Sequence, residues 1–190
     1  MNNFVIRRLE TTPPQNIVVI LTGIAAITSI IIFLLMRPVE AALKATSPYG
    51  VMELEFAWTV DQINRIFDSW GSDLIVQELN VTLIDYGFLV AYSTFLAGVT
   101  LLISRKYLTE QKQQVGFYMT LVPFIAALFD AIENLNLVLM LTAPTSYPMF
   151  SPFLASLFAT LKFSLIIIVI ISWIGIALWL LYRRVSSQDI

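Results

Sequence analysis

The sequence predicts an all-α fold: a four-transmembrane-helix bundle with an additional amphipathic helix in the external loop between spans one and two. Of the 190 residues, 58% are hydrophobic and only 13% are charged. Soluble domains are about 45–50% apolar and about 25% charged. Four separate segments also carry the ~20 mostly apolar residues that a helix needs to cross a bilayer. We therefore expect a multi-pass membrane protein.

The four predicted spans cover about residues 16–36, 81–104, 116–141 and 153–182. Arg37-Pro38 closes the first span, and the fourth is long enough to tilt or to protrude. No internal repeat, low-complexity tract or linker divides the chain. We therefore expect one membrane domain over residues 1–190.

Basic residues set the predicted orientation, because cytoplasmic segments of membrane proteins carry an excess of Lys and Arg. Seven of them fall on one side if the spans alternate: Arg7, Arg8, Arg105, Lys106, Lys112, Arg183 and Arg184. The long loop on the opposite side is rich in acids. We expect a protein of the plasma (inner) membrane with both termini in the cytoplasm.

The external segment, about residues 50–71, has helical signals of its own. Thr59 and Gln62 have the spacing of a capping box, and Gly71 suits a helix end. Between them apolar residues recur at helical spacing: Val60, Ile63, Ile66, Phe67 and Trp70. This pattern predicts a short amphipathic helix over the bundle or in the outer leaflet. The next helix is then expected to begin near Ser72-Asp73.

Composition excludes several kinds of chemistry. The chain has no Cys and no His, so haem, zinc-thiolate and iron–sulfur sites are not expected. Its net charge of −2 argues against nucleic acid as a partner. Carboxylates and amides remain, and these suit a hard cation. Whether the protein is an enzyme stays open.

The third span carries the strongest functional signal. Asp130, Glu133 and Asn134 have i, i+3, i+4 spacing, so a helix places them on one face. A carboxylate in hydrocarbon costs roughly 2.5–3.5 kcal/mol on insertion scales. Lys162 in span four lies roughly 13 Å from the external side, close to the level of these acids. Acids and base are therefore expected to meet.

Further polar residues are expected in the same outer half of the bundle. Asp85 and Tyr92 share one face of span two, and Glu53 and Glu55 can fold down from the external segment. The inner half is mostly apolar. We therefore predict an outward-facing acidic pocket that binds a cation, a small amphiphile or a lipid headgroup. Its expected residues are Glu53, Glu55, Asp85, Tyr92, Asp130, Glu133, Asn134 and Lys162.

Each of these residues also has a structural interpretation. Lys162 can form an ion pair that only fixes helix register, or it can extend to the membrane interface. Asp85 can be an ordinary interfacial acid, and Asn134 can bond a backbone carbonyl of a neighbouring helix. Glu53 and Glu55 can belong to an amphipathic surface stretch. These alternatives stay open at the level of sequence.

The chain resembles an uncharacterised group of small bacterial four-span integral membrane proteins. The resembling pieces cover about residues 50–165: Glu53–Ala57, Trp70-Gly71, Asp85–Leu89 with Tyr92, Asp130–Asn134 and Leu161–Phe163. The resemblance implies that the polar positions act as one set. It carries no activity, ligand or partner with it.

Two other functions compete with binding or transport. A membrane-embedded enzyme can use paired carboxylates, with or without Mg²⁺, on a lipid substrate. An accessory subunit can pair its buried charges with a partner protein. A pocket predicts a cavity lined by Asp85, Asp130 and Glu133, whereas a subunit predicts a polar patch facing lipid and no cavity.

Overall fold

The computed structural model describes residues 8–108 and 110–186, the side chains of 110 and 111 excepted. Within these residues the chain is helical, with turns between the helices and no strand. Six helices follow in order: α1 (Gln15–Thr46), α2 (Val51–Glu55), α3 (Val60–Tyr107), α4 (Glu110–Met119), α5 (Val122–Thr142) and α6 (Ser151–Ser186). The predicted all-α class is confirmed.

Four segments are long and apolar enough to cross a membrane: α1, α3, α6 and the stretch Lys112–Thr142 that contains α5. Helix α1 packs on α3, α3 packs on α5, and α5 packs on α6. Only 17% of the most apolar stretch of α1 and 6% of that of α6 is buried. Apolar helix surface of this extent suits lipid rather than water.

Helix α1 is longer than the predicted span. It continues through Pro38 and ends at Thr46, although a proline inside a helix removes one backbone hydrogen bond. Two interactions made by the turns of α1 after Pro38 offset the lost backbone hydrogen bond. Leu43 is fully buried, and Glu40 Oε2 accepts a 2.9 Å hydrogen bond from the first N–H of α2, that of Val51.

Helix α3 is two helical segments joined at Gly71, which has φ +72°. Glycine adopts this left-handed backbone without steric cost. The capping box at Thr59 and Gln62 forms as predicted. In the first segment Ile63, Ile66, Phe67 and Trp70 are buried. The predicted helix break is confirmed, whereas the position of this segment outside a membrane stays a prediction.

The predicted third span is interrupted, which the hydropathy pattern did not indicate. Helix α4 ends at Met119, and α5 begins at Val122 with Pro123 in its first turn. Pro123 has no N–H to donate to the carbonyl of Met119, four residues earlier, so the helix ends there. The acids of α5 nevertheless lie in the uninterrupted helix that follows.

The bundle has two ends. We call the end with residues 47–59 and 143–150 the loop end, and the end with residues 8–14 and 183–186 the terminal end. A buried apolar cluster at the loop end includes Leu54, Phe67 and Met140. A second cluster nearer the terminal end includes Leu89 and Leu96. The polar residues of α3, α5 and α6 lie between these two clusters along their helices.

Candidate functional site

Lys162 is the centre of a buried ion cluster. Its Nζ lies 2.9 Å from Asp130 Oδ1, 2.8 Å from Glu133 Oε2 and 3.6 Å from Glu55 Oε1. Asp130 and Glu133 are almost completely buried, as is Lys162 itself. The predicted ion pairs of Lys162 are confirmed. The alternative in which Lys162 extends to the interface is wrong, because three carboxylates hold its ammonium inside.

The hairpin of α5 and α6 brings the acids and Lys162 to one level. Asp130 lies twelve residues before the end of α5, and Lys162 lies eleven residues after the start of α6. With ~1.5 Å rise per residue, antiparallel helices place these two positions side by side. The small residues Ala155 and Ala159 of α6 are fully buried, which lets the two helices approach closely.

Glu55 reaches Lys162 because α2 is anchored on both sides of it. Leu54 and Ala57 are buried in the loop-end cluster. The ring of Phe56 stacks on that of Phe163 at a centroid distance of 5.9 Å. Burial raises the pKa of Glu55 to about 7, and the ammonium of Lys162 opposes that shift. Glu55 can therefore change its charge near neutral pH.

Asp85 joins the site through a different partner. Asn134 Nδ2 donates a 2.6 Å hydrogen bond to Asp85 Oδ2. The amide thus meets a carboxylate on α3 rather than a backbone carbonyl, which the sequence left open. Because Asn134 follows Glu133 directly, α5 contacts both the ion cluster and Asp85. The bond links α3 to α5 at the level of the cluster.

An open cavity of about 320 Å³ adjoins the ion cluster. Its inner wall carries Glu55, Glu78, Asp85 and Asn134 from three helices, and Val81 and Leu137 are apolar neighbours there. On the α1 side the cavity is lined by Phe33, Met36, Arg37, Glu40 and Lys44. Asp130, Glu133, Tyr92 and Lys162 do not line it. The predicted acidic set is thus divided between a closed cluster and an open cavity.

Glu78 is the least satisfied acid of the cavity. It is 1% exposed, and its Oε2 has no hydrogen-bond partner among the described residues. A buried carboxylate without a partner is costly unless it is protonated or a cation reaches it. Glu55 Oε2 is also buried and without a hydrogen bond in this part of the chain. The wall of the cavity therefore offers free carboxylate oxygens.

Charge in the site is unbalanced. Five acids lie in the cluster or on the inner wall of the cavity, namely Glu55, Glu78, Asp85, Asp130 and Glu133. Lys162 is the only base paired with any of them in the described ion pairs. Protons or a bound cation must neutralise the excess. Three carboxylates already surround Lys162, so the place for a further cation is the cavity.

The mouth of the cavity has cationic side chains. Lys44 pairs with Glu40 at 2.7 Å. Arg37 is exposed, stands over the ring of Phe33 at 5.7 Å and has no ion pair among the described residues. The cavity therefore changes from positive at its mouth to negative at its inner wall.

Two predicted residues, Glu53 and Tyr92, neither line this cavity nor form an ion pair with Lys162. Glu53 is exposed, and its Oε2 accepts a 2.7 Å hydrogen bond from the Gly50 N–H. Glu53 and Glu55 diverge because residues two positions apart in a helix lie about 200° apart around its axis. Tyr92 packs in the apolar layer below the cluster, with its buried hydroxyl beside Asp130.

Sequence reasoning missed Glu78, Arg37, Glu40 and Lys44 as cavity residues. Glu78 had a signal, since it precedes Asp85 by seven residues, as Asp85 precedes Tyr92. This spacing gives one face of a helix. Arg37, Glu40 and Lys44 of α1 had no such signal in the sequence, because the first helix was expected to end at Arg37-Pro38.

No group of three carboxylates among the described residues has the geometry to hold a metal ion. The acids lie on separate walls or around Lys162, so they do not point at one common centre. The cavity as it stands suits a cation that makes one or two charged contacts, such as an ammonium group.

The comparisons with known proteins add no relative. No family model, curated protein or solved structure matches this chain. The resemblance inferred from the sequence motifs therefore stays a prediction.

Proposed function

We propose that this chain is a plasma membrane protein that binds a cation, or the cationic headgroup of a small amphiphile, in the cavity between α1 and α3. In this proposal both termini lie in the cytoplasm, and the loop end faces the outside. The basic residues of the terminal end support that orientation. The wide apolar surfaces of α1 and α6 support the membrane location.

The observation that carries the proposal is Glu78. Its side chain is almost completely buried, has a carboxylate oxygen without a hydrogen bond in the described chain, and lines the cavity. A purely structural acid at this depth would be expected to have a partner, as Asp130 has in Lys162. A ligand cation would provide that partner for Glu78.

A binding pocket fits the structure better than a conduction path. The apolar cluster with Leu89 and Leu96 lies between the polar layer and the terminal end. Charged groups along a path are the usual mark of ion permeation through a membrane protein. Here the charges are concentrated on one side of that apolar layer, so we propose binding from the loop end.

Ligand-induced thermal stabilisation tests the proposal. The purified protein is titrated in detergent with ethylammonium, tetramethylammonium, Na⁺ and Mg²⁺, and its unfolding midpoint is followed by intrinsic tryptophan fluorescence. We expect at least one of these cations to raise the midpoint of the wild type. A ligand at 100 times its Kd stabilises the folded state by about 2.7 kcal/mol.

The matched variants are Glu78→Gln and Asp73→Asn. Both change one acid of α3, but Asp73 is exposed and lies outside the cavity. We expect the cation response to disappear in Glu78→Gln and to persist in Asp73→Asn. The proposal is wrong if no cation stabilises the wild type, or if both variants respond as the wild type does.

A further inference from the structure

We propose that the ligand of this cavity is a membrane phospholipid with an ammonium-bearing headgroup, which enters from the bilayer along α1. This inference rests on the proposed cation-binding function and deepens it by naming the ligand class. Three features of the cavity support it: its position on the lipid-facing helix, its positive mouth and its negative inner wall.

The cavity lies where the apolar surface of α1 ends. Phe33 is 49% exposed and Met36 is partly exposed, and both line the cavity. Leu34 and Leu35 beside them are exposed on the remaining surface of α1. Arg37 follows directly and marks the level at which hydrocarbon gives way to headgroups. A lipid beside α1 thus has its headgroup at the height of the mouth.

The mouth can hold a phosphate. Arg37 has no carboxylate partner among the described residues, and its contact with Phe33 keeps the guanidinium at the rim. A guanidinium binds phosphate oxygens through two parallel hydrogen bonds. Lys44, on the same wall, adds a second positive charge although Glu40 partly offsets it.

The inner wall can hold an ammonium group. Glu78 presents its unpartnered oxygen there, and Asp85 lies seven residues further along α3, about 10 Å along the helix. Val81 and Leu137 between these acids are apolar, so methylene groups next to an ammonium find apolar neighbours. A strongly hydrated metal ion would lose water there without gaining a full set of oxygen ligands.

The order of the charges along the cavity favours a zwitterionic headgroup. In a phospholipid with an ethanolamine headgroup the phosphate is nearer the acyl chains and the ammonium is further from them. The cavity has the same order, with Arg37 next to the lipid-facing surface and Glu78 on the inner wall. A cavity of about 320 Å³ is at the small end of ligand pockets and suits a headgroup whose acyl chains stay outside along α1.

Native mass spectrometry of the detergent-solubilised protein tests the inference. Titrations use phosphatidylethanolamine, phosphatidylglycerol and soluble phosphoethanolamine. We expect one phosphatidylethanolamine to bind at least tenfold more tightly than phosphatidylglycerol, which lacks the ammonium. Phosphoethanolamine is expected to bind at least tenfold more weakly than the lipid, since it lacks the apolar chains that contact α1.

Arg37→Gln and Arg65→Gln are the matched variants. Both residues are exposed arginines of the loop end, but only Arg37 lines the cavity. We expect Arg37→Gln to weaken phosphatidylethanolamine binding about tenfold, Arg37→Lys to restore part of it, and Arg65→Gln to leave it unchanged. Arg37→Gln removes a positive charge from the cavity, so ethylammonium, which has no phosphate, should bind to it at least as tightly as to the wild type.

The outcomes separate this inference from the proposed function. The proposal of a phospholipid ligand is wrong if any one of three results is found. These are equal affinity for both lipids, unchanged phosphatidylethanolamine binding in Arg37→Gln, and equally tight binding of free phosphoethanolamine. Cation binding that still depends on Glu78 would then leave the proposed function standing. If the wild type binds neither ammonium compounds nor lipid, both proposals fail.

Discussion

The ion cluster around Lys162 and the cavity at Glu78 both contain buried carboxylates. Those of the cluster have a cationic partner, whereas Glu78 has none among the described residues. Around Lys162, carboxylates from α2 and α5 lie within 3.6 Å of one ammonium. In the cavity, the equally buried carboxylate of Glu78 forms no ion pair with the described residues, and its Oε2 has no hydrogen bond there. The two regions are neighbours, and Glu55 belongs to both.

This difference distinguishes a structural charge from a ligand site. A buried acid whose cation is part of the chain stabilises one arrangement of helices, and its removal leaves an uncompensated charge. A buried acid without a cation costs stability in the empty protein, and proteins commonly accept such costs where they bind ligands. Acidic residues in a span therefore have to be compared by their partners as well as by their depth.

The largest expected effect comes from removing the cation of the cluster. Lys162→Met leaves three carboxylates without their base, and we expect a loss of about 3–5 kcal/mol of stability at neutral pH. Reversible unfolding in mixed detergent measures it. The control Lys106→Met changes an exposed lysine near the terminal end and should stay within about 0.5 kcal/mol. Equal effects of the two variants would contradict the structural role of the cluster.

The pH dependence of stability tests Glu55, which lies between the two regions. Its pKa is about 7 in the folded protein and 4.5 ordinarily, so the folded state binds this proton more tightly than the unfolded state. Stability should be highest below pH 4.5 and fall as the pH rises to about 7, by up to about 3 kcal/mol from this group.

Unfolding midpoints of the wild type and Glu55→Gln between about pH 5 and about pH 8 measure this contribution. Lys162, Asp130 and Asp85 also act on Glu55, and they stay in place in the variant. We expect the fall in stability to be smaller in Glu55→Gln. The same slope in both proteins would show that Glu55 is not the titrating group.

Neutralising one acid in each region should have opposite effects. Asp130→Asn loses a charged partner of Lys162 and should cost about 2 kcal/mol. Glu78→Gln removes a buried carboxyl group that has an unpartnered oxygen, so the empty protein should become more stable by about 1 kcal/mol. Thermal unfolding of both variants without ligand compares them. Destabilisation of equal size in both would remove the distinction between the cluster and the cavity.

The smallest effect is expected from Glu53→Gln. Glu53 is exposed, and it caps the first turn of α2 through the Gly50 N–H. Glutamine can accept the same hydrogen bond, so stability should change by no more than about 0.5 kcal/mol. Cation and lipid binding should be unchanged. A loss of binding as large as that of Glu78→Gln would place Glu53 in the site after all.

The sequence predicted the helices more completely than it predicted which polar residues join the ion cluster and which line the cavity. Periodicity and capping residues predicted the helix break at Gly71, and the matching depths of Asp130 and Lys162 predicted their ion pair. The extension of α1 past Pro38 was not predictable in this way. It depends on Leu43 and Glu40 meeting residues far along the chain, and these contacts outweigh the local effect of a proline.

The sequence by itself determined the class of the protein, because hydropathy and helical spacing are local properties of the chain. It also determined that polar groups must meet inside the bundle, since isolated charges are too costly in an apolar surrounding. Only the tertiary structure decided which acids Lys162 neutralises and which it leaves without a partner. That assignment depends on how α2 and α3 approach the α5–α6 hairpin, and no single helix contains that information.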